Sequence, residues 1–169
     1  MRLARSLAPI ALAACGVALA CSTPAWDARF VETVPDRATF PPVADLLVHR
    51  CGTLDCHGST ARNMRLYGSI GLRLAPGDRP VSKGQTTAAE YDEDFASVVG
   101  LEPEVMSAVV ASGGASPDRL TLIRKARGTE HHKGGALWSE GDPQDLCVTS
   151  WLSGHTDEAG CVSATRSSF

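Results

Sequence analysis

Aromatic residues are scarce: phenylalanine, tryptophan and tyrosine make up 5% of the 169 residues. Basic residues are outnumbered, 16 Lys and Arg against 19 Asp and Glu. A nucleic-acid surface needs a cationic patch, commonly with interleaved aromatics on which bases stack. Neither is present, so nucleic acid is not an expected partner. No Ser/His/Asp order, paired-carboxylate motif or phosphate loop stands out, and no catalytic residue is assigned. Internal repeats are missing too. Glycine and proline are plentiful, at 16 and 10. With so few aromatics, that composition implies a small helical domain with long loops.

The beginning of the chain sets the compartment. Arg2 and Arg5 form a positive region with no acid, and Ser6 to Ala20 is mostly apolar. That stretch is too short for a membrane span, which needs about 18 apolar residues or more, and reads as a secretory signal. It ends in Ala18-Leu19-Ala20-Cys21, which resembles a bacterial lipoprotein signal in which the cysteine is acylated. Cys15, after Leu12-Ala13-Ala14, is the rival lipidation site, with a much shorter apolar run before it. We therefore expect a signal over 1–20, a lipid anchor at Cys21, a proline-punctuated tether over 21–41 and one domain over 42–163. The expected location is the bacterial envelope; no aspartate follows the anchor, which by resemblance to lipoprotein sorting in Gram-negative bacteria implies the outer membrane. Without Arg2 and Arg5, 14 basic residues face 19 acidic ones, a net charge of −5.

The remaining cysteines divide into two pairs. Cys51 and Cys56 are followed at once by His57. Two thiols and an adjacent imidazole mark covalent haem attachment: the sulfurs bond the porphyrin edge and the imidazole ligates iron. Four residues separate these cysteines where two are usual, so the spacer must bulge, and Gly52 relaxes the backbone there. Cys147 and Cys161 are left for a disulfide. Closing a loop of about 15 residues contributes on the order of 3 kcal/mol in the chain-entropy model. Two other partitions stay open. One is a second disulfide between Cys51 and Cys56, with other pairings of the four cysteines possible. The other is zinc held by Cys51, Cys56 and distant histidines.

Periodicity predicts short helices. Pro42 opens one in which Val43, Leu46, Leu47 and Arg50 share a face and which runs into Cys51. Tyr91, Phe95, Val98 and Val99 mark the next. Glu102-Pro103-Glu104 opens a third with Val105, Met106, Val109 and Val110 inward. Ser116-Pro117-Asp118 carries the letters of a capped start, followed by Leu120 and Ile123. Asp142-Pro143 begins a last helix with Leu146, Cys147, Ser150 and Trp151 on one side. A tail holding Cys161 closes the domain.

The run from Arg50-Cys51 through Cys56-His57-Gly58 to Leu66 and Leu72-Arg73-Leu74 resembles the cytochrome c-like domains of planctomycete and myxobacterial surface proteins. His132-Lys133-Gly134-Gly135, followed by a final helix with Trp151-Leu152, is similar to that family's second half. The resemblance covers about 100 residues. It implies a mainly α, cytochrome c-like fold, covalent haem c on Cys51, Cys56 and His57, and an unknown redox partner protein. For the sixth iron ligand the candidates are His132 and His131 on a glycine-flanked loop, Met106 on a helical stripe, and Met64 just after the motif; an open site is the further alternative. The expected function is electron transfer by a lipid-anchored monohaem cytochrome. Its rival is a haem-free, disulfide-stapled lipoprotein acting as a binding or structural module.

Overall fold

A computed structural model describes residues 32–75 and 84–167. The chain divides into two units, 1–31 and 32–169, and the described residues belong to the second. The expected signal, Cys15 and Cys21 lie outside the described residues. The fold is mainly helical, as composition and periodicity predict. Its helices are α1 (Pro41–Cys51), α2 (Ala88–Val99), α3 (Pro103–Ala111), α4 (Thr121–Ala126), α5 (Pro143–Leu152) and α6 (Glu158–Arg166). An isolated bridge between Tyr67 and Leu72 is the extended pairing found among the described residues. None of the described helices is long and apolar enough to cross a membrane.

α1 is the central element. Pro41 and Pro42 fill its first positions, where a missing N–H leaves no bond unmade. Val43, Leu46 and Leu47 are fully buried, with Ala44 and Val48 beside them. This face packs against α2, α5 and α6. Trp151 of α5 is fully buried against Phe40, with ring centres 4.9 Å apart, and lies edge-on to Phe95 at 6.2 Å. Its indole N–H donates to the Asp36 carbonyl at 2.9 Å, the polar partner a buried tryptophan needs. The Thr33 N–H donates to Ser107 at 2.8 Å. The chain therefore joins the packed unit before residue 42, inside the expected tether.

Three elements differ from the sequence reading. Ser116 does not cap a helix; it adopts a left-handed conformation with φ 52°, and Pro117–Arg119 form a 3-10 turn. α4 begins at Thr121, whose N–H and hydroxyl both donate to the Glu102 carboxylate, at 2.6 and 2.9 Å. On α5, Leu146 is 56% exposed, and the buried side is Asp145, Cys147, Val148, Trp151 and Leu152. The expected tail is a helix, α6, capped by Asp157, which accepts from the Gly160 N–H at 2.8 Å. The expected disulfide between Cys147 and Cys161 is present and ties α6 to α5.

Candidate functional site

Cys51 is the last residue of α1, so a rigid helix end delivers the first thiol. The spacer then folds back on itself. The Cys56 and Gly58 N–H groups both donate to the Thr53 carbonyl at 2.9 Å, and the His57 N–H donates to the Cys51 carbonyl at 2.9 Å. The four-residue gap is thus a closed bulge that returns Cys56 and His57 to the end of α1. Its backbone is tight. A Cβ at Gly58 or at Gly71 would overlap the Gly52 carbonyl oxygen, so neither position accepts a side chain without a shift. Gly71 had drawn no attention in the sequence. Cys51 and Cys56 are free thiols, the first buried and the second half-buried, so the alternative disulfide between them is not formed.

His57 is oriented from behind. Its Nδ1–H donates to the Met64 carbonyl at 2.9 Å, which leaves Nε2 with the lone pair that can meet a metal. The segment carrying that carbonyl is held on both sides. The Leu66 N–H donates to the His57 carbonyl at 2.9 Å, the Arg65 N–H to Ser97 at 2.7 Å, and the Tyr67 N–H to Asp94 at 2.7 Å. Ser97 and Asp94, one helical turn apart on α2, thus brace the loop that braces the imidazole. Burial lowers the proton affinity of His57; the Met64 bond opposes it, and His132, Arg62 and Lys125 add to the lowering. A neutral imidazole is the form that ligates.

Cys51, Cys56 and His57 open onto a cavity of about 440 Å³. Its apolar walls include Leu101, Leu122, Ala126 and Leu137. The loop after α4 brings His131 and His132 to it, and the side of the motif loop brings Met64. The rings of His57 and His132 lie 6.0 Å apart, centre to centre, with planes 24° from parallel. His132 Nδ1 is buried and has no hydrogen-bond partner. Two imidazoles bound to one ion from opposite sides have a similar separation, with about 2 Å per metal–nitrogen bond and about 1 Å more from each nitrogen to its ring centre. Met106 is apart from this group, in the core on the inner face of α3. His131 is exposed.

The residues present fit a haem c. A thiol such as Cys51, whose pKa is pushed up to about 12 by burial and by Cys56 against the influence of Arg50, sits more easily there as a neutral thiol or thioether than as a charged thiolate. The volume is that of a small-molecule site, and apolar walls meet polar and charged side chains in its lining. Zinc held by protein alone has less to draw on: among the described residues no group of three or more His, Cys, Asp and Glu is assembled to hold a metal ion. Haem needs fewer protein ligands, because the porphyrin brings its own equatorial nitrogens.

The sequence reading missed the wall supplied by α4, namely Leu122, Lys125 and Ala126. No periodicity in so short a helix points to a cavity. No family model, curated protein or solved structure matches the chain.

Proposed function

We propose that this protein is an exported, lipid-anchored monohaem c-type cytochrome that passes single electrons at the bacterial envelope. The observation that carries this reading is the pairing of His57 and His132 across an apolar cavity that also holds two free thiols. Cys51 and Cys56 would form the thioether bonds, His57 the proximal bond, and His132 the sixth. Haem, when bound, supplies a ferric–ferrous couple that accepts and releases one electron. The protein's part is to fix the ligands and exclude water. Met64 and the braces from α2 hold His57 in one tautomer and orientation, and Gly134 lies against the His132 ring. The rival, a haem-free lipoprotein with two staples, has only Cys147–Cys161 in its favour, because Cys51 and Cys56 are not joined.

Expression with a c-type maturation system that tolerates wide motifs tests the reading. The product should be red, keep its haem through denaturing electrophoresis, and give a low-spin spectrum in both oxidation states. His132→Ala should convert it to high spin while the haem stays attached. A colourless product of correct mass, with unmodified thiols at Cys51 and Cys56, would sink the proposal.

A further inference from the structure

The charged lining of the cavity has one sign. Arg62, Lys125 and Lys133 border it, and among the described residues no carboxylate does. In a chain where acids outnumber bases by 19 to 16, composition favours the opposite. Lys125 and Lys133 have little other employment. Lys125 meets Glu130 at 3.6 Å, with the two side chains 40% and 37% exposed, and such pairs contribute little in water. Arg62 donates to the backbone carbonyls of Cys56 and Asp55, both at 3.3 Å, and makes no ion pair among the described residues. Lys133 is exposed and makes no ion pair among the described residues.

A ligand that fills this cavity must therefore be apolar over most of its surface and anionic where it meets the rim. We propose that Lys125 and Lys133 form a carboxylate-binding rim that takes the propionate groups of a tetrapyrrole, an inference that rests on the haem reading above. Carboxylates leave water only when paired, and charge-assisted bonds to ammonium and guanidinium groups are the strongest partners available. Thioether bonds fix the vinyl-derived edge of the macrocycle, and the rim fixes its acid-bearing edge. The rim thus gives haem a hold apart from the thioether bonds and favours one orientation of the macrocycle.

The test uses the full chain, purified in detergent from cells without a c-type maturation system. Ferric haemin and its dimethyl ester, which lacks both carboxylates, are titrated by Soret absorbance. The variant is Lys125→Gln/Lys133→Gln; Arg62 is kept because it also holds the motif loop. Haemin should bind about tenfold or more tighter than the ester, the effect expected of one to two charged hydrogen bonds. That preference should fall toward parity in the variant. Comparing the two ratios cancels partition of the porphyrins into detergent. Equal binding of acid and ester by the native chain would overturn the rim while the haem reading stands. A preference that survives in the variant would overturn the assignment to these lysines. If neither porphyrin binds, the cavity is not a tetrapyrrole site, and both proposals fall.

Discussion

Asp94 is a charged letter in a sequence and a fully buried group in the fold. One carboxylate oxygen accepts from the Tyr67 N–H at 2.7 Å; the other is buried without a partner. Burial pushes its pKa up to about 7, the Tyr67 bond opposes this, and the carboxylates of Glu90, Asp45 and Glu93 add to the rise. The sign follows from linkage. An unfolded chain releases this proton near the ordinary aspartate value, about 4, while the folded chain holds it until about 7. Stability contributed at low pH is therefore lost as pH rises through that window, by on the order of 2–4 kcal/mol in full. Asp94→Asn keeps an acceptor for Tyr67 and cannot ionise. Chemical denaturation between pH 4 and 8 should show the native chain losing more stability than the variant; parallel profiles would contradict the buried charge. None of this is legible in the sequence, where Asp94 lies beside Asp92 and Glu93. Glu90 is likewise buried, and there Arg73 compensates with a two-pronged bond at 2.7 and 2.9 Å.

At the scale of elements, legibility tracks the apolar stripe. Val43, Leu46 and Leu47 announce α1, and Val105, Met106 and Val109 announce α3, because burial of those side chains is what makes the helices stable. α6 has no such stripe; Cys161 and Ala164 are its buried residues, and glycine, serine and threonine fill much of the rest. What holds it is tertiary: α1 and α5 on its buried side, the Asp157 cap, and the disulfide. α4 is obscure for a related reason, since its first turn is satisfied by Glu102 from a distant position rather than by a neighbouring cap. Weak intrinsic helicity makes the staple matter. Cys147→Ala/Cys161→Ala should cost about 2–5 kcal/mol, the usual loss when a small exported domain gives up a native disulfide. A fall in melting temperature, with any haem spectrum retained, is the expected result. An unchanged melting temperature would mean that α6 is held by packing alone.

On the scale of the whole molecule, the candidate site was half legible. Cys51, Cys56 and His57 are contiguous enough to read as one motif, and the glycines after His132 mark its loop. That His57 and His132 face each other, and that α4 walls the cavity, arises from packing between segments some 75 residues apart in sequence. The single-sign charged lining has the same origin, since Arg62 comes from a segment distant in sequence from Lys125 and Lys133. The proposed function requires that the protein be kept at the envelope, and none of the described helices is long and apolar enough to cross a membrane. The proposed means of attachment is an acylated cysteine. Each buried methylene contributes about 0.8 kcal/mol, so several acyl chains anchor firmly where one does not. Cys21 follows the full apolar stretch from Ser6 to Ala20, whereas cleavage before Cys15 leaves a much shorter one and carries Val17, Ala18 and Leu19 onto the mature chain. Cys21→Ala should therefore move the protein from the membrane to the soluble envelope fraction, and Cys15→Ala should leave it in the membrane. Fractionation with mass spectrometry of the mature first residue checks both. Release by Cys15→Ala alone would transfer the anchor to Cys15; retention of both variants in the membrane would remove lipidation as the means of attachment.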